Sequence, residues 1–396
     1  MEPAEDGYLE KKKLRSIQHF LPIKEPIPEK DCLPEDDPLY PLCNYLYQKT
    51  KLLYSKTPLR KNGENPFLHP LNVVRSLRKA KIKCGVTICV GLCHDFVEEM
   101  VDIYERENNV KEDKEGILLL DAYEEQVFKE LDQEMRTFCE KNNVNIDVVD
   151  QIIDTLHVLT RHKRHYYYKS LSAIFTCKDP EVRERAIQVK LADMLHNVQC
   201  LECFDESGRL YRGFKSLFVL NNAKKFILDK YGGELFTSNN FPPTRRLFSK
   251  CAKATFDALL RICISNKDKG IKNVLYILQL AFKKYVFVQS GISVVTEPDM
   301  KELHPMRLYQ GIVLKYDHRL HQELDKFDDR METELAYCKK FFSDFNFGPV
   351  QFQAIMDYKD AYGMREVIAR LLYQPDYYIS RFICSELSVR GRIKKG

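Results

Sequence analysis

Residues 84–99 read Cys84-Gly85-Val86-Thr87-Ile88-Cys89-Val90-Gly91-Leu92-Cys93-His94-Asp95-Phe96-Val97-Glu98-Glu99. The uncharged run from Cys84 to Cys93 has ten residues, far short of the roughly 18–20 that span a bilayer. As a helix it must therefore be buried in protein. Two ligand-type side chains, His94 and Asp95, close that buried helix. An unpartnered carboxylate in an apolar setting loses its hydration, so such a pair is costly unless it is paired or metal-bound. On a continuing helix Asp95 shares a face with Glu98 and Glu99, and His94 with Glu98. Two carboxylates then lie beside the ion, and one of them can handle a proton.

Two further segments carry ligand-type residues. In Arg60-Lys61-Asn62-Gly63-Glu64-Asn65-Pro66-Phe67-Leu68-His69-Pro70 a polar turn precedes a histidine at a helix start, with proline in a position suited to the first turn. In Val189-Lys190-Leu191-Ala192-Asp193-Met194-Leu195-His196-Asn197, helical phase puts Lys190, Asp193 and Asn197 on one face, while Leu191, Leu195 and Val198 take the flank that packs. His69, His94, Asp95 and Asp193 make a mixed nitrogen and oxygen set that suits Mn²⁺ or Fe²⁺, with Mg²⁺ and Zn²⁺ also compatible. Such a cation lowers the pKa of a bound water and polarises a phosphoryl oxygen. Arg60, Lys61 and Lys190 are placed to neutralise phosphate charge. Hydrolysis of a phosphorylated compound follows from these residues.

The rest of the composition fits a helical globular protein. The chain has 396 residues, 44% of them hydrophobic and only 16 glycines, long enough for two domains. Its 62 basic and 57 acidic residues are interspersed, for a net charge of +5. That is not the concentrated footprint of a dedicated DNA binder, but it welcomes a small anionic substrate. No membrane span and no secretion signal are expected. The thirteen cysteines lack a framework pattern and read as reduced thiols in the cytoplasm. Cys200-x-x-Cys203 is the one close pair, and without a second pair it reads as ordinary thiols on a helix rather than a zinc site.

Six prolines between Pro22 and Pro41 make residues 1–38 an expected extended arm. From Leu39 onward, helices are expected near 40–55, 70–80, 84–100, 122–140, 145–160, 180–203 and 214–230. Gly232-Gly233 and the polar break Ser238-Asn239-Asn240-Phe241-Pro242-Pro243 mark a boundary. They divide a domain at 39–235 from a second helical region at 244–396, amphipathic near 247–288, 308–345 and 350–373. A short hairpin over 285–295 is the alternative within that region. Long amphipathic helices there would suit a protein partner or self-association.

Taken in order, Arg60-Lys61, His69-Pro70, His94-Asp95 with Glu98-Glu99, Leu159-Thr160-Arg161 and Lys190-Leu191-Ala192-Asp193-Met194-Leu195-His196-Asn197 resemble the hydrolase domain of the RelA/SpoT family over roughly residues 45–205. The resemblance implies an all-α HD-domain helical bundle with Mn²⁺ on His69, His94, Asp95 and Asp193. It implies that Glu98 and Glu99 position or deprotonate the attacking water, and that Arg60, Lys61, Thr160, Lys190 and Asn197 meet the nucleotide. The implied reaction removes the 3′-pyrophosphate of guanosine tetra- or pentaphosphate. Glu99 stands where the family usually has Asp, Met194 where it has Arg, and Cys200 where Thr is common. These departures leave the metal ligands whole and bear on the contacts that the resemblance implies to nucleobase and ribose.

Blander readings stand beside these. His69 alone would be a satisfied structural histidine, Glu98-Glu99 an acidic surface patch, and Lys190 a solvated charge. The run Arg161-His162-Lys163-Arg164-His165-Tyr166-Tyr167-Tyr168 interleaves cations with aromatics, which makes Arg161 and Tyr167 candidates for phosphate and base contact. It reads equally as a polar loop over a core aromatic. Leu303-His304-Pro305 copies the first histidine string without partners, and His318 and His321 have no evident third ligand. In functional terms, a catalytically silent nucleotide-sensing module is the alternative to an enzyme. Within the enzyme reading, NADPH or a nucleoside monophosphate are alternative substrates.

Overall fold

The structure, a computed structural model, describes residues 21–111, 113–163, 167–233, 241–271, 312, 315–316 and 325–379. The described residues form helices and turns with no strand, so the fold is all-α. Two compact units divide the chain: 1–203 with 226–251, and 204–225 with 252–396. The units do not follow the expected division at 235/244, because helix α10 (Glu206–Tyr231) and helix α11 (Pro243–Asp268) each contribute to both.

The first unit is built around α4 (Gly85–Cys93), all of whose residues are buried. Around it pack α2 (Tyr40–Tyr54), α3 (Leu68–Lys79), α7 (Asp147–Leu159) and α9 (Pro180–Gln199). Also in this unit are α1 (Glu29–Cys32), α5 (Phe96–Glu107), α6 (Lys114–Asn142) and α8 (Tyr167–Thr176). A helix apolar all round is stable only inside such a cage. Gly91 lets α4 come close to α3, since a Cβ there would stand 2.7 Å from Leu77 Cδ1. Helix α9 opens on Asp179, whose side chain accepts from the amides of Glu181 and Val182, with Pro180 in the first turn. It then lies along α3 and α7, burying Leu191, Leu195 and Val198 as its phase predicts.

Two expectations are corrected here. Residues 21–38 are not a free tether: Cys32 and Leu33 are fully buried, Ile23 N–H donates to Asn72 Oδ1, and Ile27 C=O accepts from Tyr47. Prolines that favour extended chain also favour a strap laid over helices. Residues 1–20 lie outside the described residues. The helix expected over 84–100 is interrupted, with α4 ending at Cys93, α5 starting at Phe96, and Asp95 between them at φ −101° and ψ 4°. The Asp95–Glu99 turn survives, since Glu99 N–H donates to Asp95 C=O at 2.9 Å. The continuous helix needed to put His94 over Glu98 does not.

The second unit contains α12 (Asp325–Phe341) packed on α13 (Pro349–Tyr373). Its core holds charges as well as apolar side chains. Lys315 pairs with Glu334 at 2.9 Å and Asp360 at 2.7 Å, Lys359 pairs with both acids, and Tyr316 donates to Asp360 at 2.8 Å. Two cations facing two carboxylates leave the cluster neutral, which makes its burial tolerable. Lys224, fully buried, donates to the carbonyls of Leu371 and Gln374 at 3.0 Å each, satisfying acceptors at the end of α13 that the helix itself leaves open. The helix expected over 247–288 stops at Asp268, where Gly270 turns the chain at φ 93°. The proposed hairpin over 285–295, Leu303-His304-Pro305, His318 and His321 lie outside the described residues. No helix among the described residues is long and apolar enough to cross a membrane.

Candidate metal centre

Three elements deliver the four expected ligands to one place. His69 sits in the first turn of α3, His94 and Asp95 form the α4–α5 junction, and Asp193 lies midway along α9. His69 Nε2 is 3.3 Å from Asp95 Oδ2, 3.3 Å from Asp193 Oδ1 and 3.2 Å from His94 Nε2, and His94 Nε2 is 3.1 Å from Asp95 Oδ2. His69, His94 and Asp193 are at most 4% exposed. His94 Nδ1–H donates to Gly91 C=O at 3.0 Å, which leaves Nε2 as the nitrogen that carries a lone pair when the ring is neutral. Such an outer hydrogen bond is how metal-binding imidazoles are oriented.

The carboxylate of Asp95 shows the same commitment. Aspartate is a favoured helix N-cap, yet Asp95 makes no side-chain cap to α5 and turns instead to the two imidazoles. His69, His94 and Asp95 present ligand atoms all within 4.8 Å of one another. This donor set fits a divalent cation of intermediate softness.

The electrostatics are those of a site that attracts positive charge. Burial disfavours a charged His94, but the carboxylates of Asp95 and Asp193 outweigh it and raise its pKa to about 9. Burial also works against ionised Asp95 and Asp193. His94 and His69 nevertheless hold Asp95 well below the ordinary carboxylate range, and Lys190 and His69 hold Asp193 low. Glu98 and Glu99 are pushed up to about 7, first by burial and then by the Asp95 charge. A carboxyl poised near neutrality suits proton transfer.

The expected substrate residues divide into groups. Lys190 Nζ contacts Asp193 Oδ2 at 2.8 Å, Asn197 donates to Asp193 Oδ1, and Arg60 donates to Asn197 at 2.9 Å. The cation, amide and guanidinium thus form one chain leading to the acid. Glu98 accepts from the backbone N–H of Arg161 at 2.6 Å, which ties the loop after α7 to the site. Thr160 is buried and its hydroxyl donates to Leu156 C=O at 2.8 Å. Lys61 and the Arg161 side chain are exposed. Tyr167 opens α8, and its side chain lies outside the described residues. The two residues after Arg161 are engaged elsewhere. His162 donates to buried Glu124 at 2.5 Å, and Lys163 pairs with Asp102 at 2.8 Å and Glu105 at 2.7 Å.

His196 was not among the expected site residues, and the structure places it against His69, with the two Nδ1 atoms 2.8 Å apart. Its ring is 1% exposed. Burial pushes its pKa well down, so the ring is neutral. The signal was present: His196 follows Asp193 by three residues and so belongs on the same helix face. On its other side His196 Nε2 lies 3.7 Å from Cys200 Sγ. Cys203, the other half of the Cys-x-x-Cys pair, is exposed in the short 3₁₀ turn Leu201–Cys203 and bonds to Cys200 C=O. No protein-family model, no curated protein and no solved structure matches the chain.

Proposed function

We propose that this chain is a divalent-metal-dependent phosphohydrolase of the HD type, and that its substrate is a phosphorylated nucleotide from which it removes a 3′-pyrophosphate, as in guanosine tetra- or pentaphosphate. The observation that carries the reading is the convergence of His69, His94, Asp95 and Asp193, drawn from segments far apart in sequence, with Glu98 and Glu99 on the adjoining turn. Mn²⁺ is the proposed ion; held by those four side chains, it would supply Lewis acidity toward water and a phosphoryl oxygen.

The chain's own groups account for the rest. Glu98, oriented by Arg161 N–H, and Glu99 are the acids through which a proton would leave the attacking water. Lys190 and Asn197, which contact Asp193, and Arg60, which donates to Asn197, would meet the pyrophosphate oxygens, since preorganised donors aimed at developing charge stabilise the transition state most. Family resemblance supplies the guanosine tetraphosphate assignment, and the buried acid–imidazole cluster supports the hydrolytic chemistry.

The test is a panel of nucleotides incubated with the Mn²⁺-loaded protein, with pyrophosphate and orthophosphate read separately. Guanosine tetraphosphate should yield pyrophosphate, and Asp193→Ala and His94→Ala should abolish the release while keeping helical content. Tight nucleotide binding without turnover, under Mn²⁺, Mg²⁺, Fe²⁺ and Zn²⁺ alike, would overturn the enzymatic reading in favour of a sensing module. Orthophosphate from a nucleoside monophosphate or NADPH would keep the hydrolase and replace its substrate.

A further inference from the structure

Glu64, His196 and Cys200 present a carboxylate oxygen, a ring nitrogen and a sulfur that all lie within 4.8 Å of one another. We propose that these three side chains form a second cation site, suited to a thiophilic divalent ion such as Zn²⁺, and that its occupation opposes occupation of the His69–His94–Asp95–Asp193 centre.

The geometry is close to what zinc requires. Zn–N and Zn–O bonds are about 2.0–2.2 Å and Zn–S about 2.3 Å, so two ligand atoms on a tetrahedral ion stand roughly 3.5 Å apart. His196 Nε2 lies 3.7 Å from Cys200 Sγ, and Cys200 Sγ lies 4.0 Å from Glu64 Oε2. Each ligand is held from outside. His196 is buried on α9, and Cys200 follows one helical turn later. Glu64 is fixed by Asn62, which donates to Oε2 at 2.7 Å, and by the turn in which Arg60 N–H donates to Glu64 C=O at 3.0 Å. Lys24 also contacts Glu64, and its side chain is 74% exposed. Sulfur among the ligands favours zinc over the harder ions that suit the first site. Binding releases the Cys200 thiol proton to solvent.

Opposition between the sites follows from where protons can sit. The 2.8 Å gap between the Nδ1 atoms of His69 and His196 accommodates one hydrogen. If His69 Nε2 holds the first ion, its proton is on Nδ1 and His196 Nδ1 accepts it; neutral His196 then carries its own proton on Nε2, facing Cys200. If His196 Nε2 holds the second ion, its proton moves to Nδ1, and His69 must carry its proton on Nε2, where it cannot ligate. Filling both sites would set two N–H groups against each other across that gap. The second site stands on its own geometry, whereas the opposition rests on the proposed function of the first.

The test uses Co²⁺ as a probe of the reduced full-length protein, because a cobalt–thiolate bond gives a near-ultraviolet charge-transfer band. Wild type should develop the band. Cys200→Ser and Glu64→Gln, both at partly exposed positions and checked for helical content, should lose it or bind the probe at least about tenfold more weakly, and His94→Ala should keep it. Saturation with Mn²⁺ should weaken cobalt binding in wild type and not in His94→Ala. A band that persists in Cys200→Ser, or no band in wild type, overturns the site. A Cys200-dependent band that forms equally well with Mn²⁺ bound overturns the opposition alone. Absence of Mn²⁺ binding with the band intact would instead sink the first site's reading.

Discussion

Asp95 stands at the N-terminus of α5 and directs its carboxylate to His94 Nε2, 3.1 Å away, rather than to the helix amides behind it. A side chain in the best position to cap a helix has been committed to a ligand cluster. Asp95→Asn preserves shape and removes charge. It should leave helical content intact and weaken Mn²⁺ binding by more than the 10–100-fold that loss of an outer-shell partner causes, as read by circular dichroism and paramagnetic resonance.

In the proposed metal site His196 would act through His69. With Nε2 of His69 as a ligand, its Nδ1–H needs an acceptor, and His196 Nδ1 at 2.8 Å is that acceptor. His196→Leu should lower Mn²⁺ affinity by about 10–100-fold, and His196→Gln, which can still accept, should recover part of it. Equal affinity in wild type and His196→Leu would contradict the positioning role.

The spacing of the two histidines depends on the close contact of α3 and α4. In Gly91→Ala the new methyl would stand 2.7 Å from Leu77 Cδ1, itself fully buried. Overpacking of this kind costs about 1–3 kcal/mol, against which the higher helix propensity of alanine offsets up to about 1 kcal/mol. Urea unfolding should show net destabilisation.

In the second unit, burial raises Asp357 to about 6, with Lys315 opposing and Asp360 adding to the shift. An acid whose folded pKa exceeds its unfolded value favours the folded state when protonated, so this contribution is lost as pH rises from about 3.8 to about 6. Asp357→Asn should match wild type below that window and exceed it above by an amount of order 2–3 kcal/mol. Thermal unfolding across the window checks both sign and size. A variant less stable at neutral pH would refute it.

Much of this architecture was legible because burial and helical phase leave strong marks. The apolar run 84–93 announced a central helix, and the i, i+3, i+7 spacing of Lys190, Asp193 and Asn197 announced the polar face that reaches the site. Other features left weaker marks. The break at His94–Asp95 carries neither Gly nor Pro, the usual punctuation. His196 lies three residues after Asp193, and sequence alone does not show that it meets the ring of His69. The strap at 21–38 shares its composition with a tether, and only packing distinguishes them. The assignment of 204–225 to the second unit cannot be read from a helix that runs through the boundary without a change of pattern.

The proposed reaction requires one cation held jointly by α3, the α4–α5 junction and α9. Mn²⁺ titration followed by paramagnetic resonance measures this directly, with wild type compared to His69→Ala, His94→Ala and Asp193→Ala at matched helical content. A single tight Mn²⁺ in wild type that is lost from each of the three variants is the predicted result. Undiminished binding in any one of them would contradict the shared site.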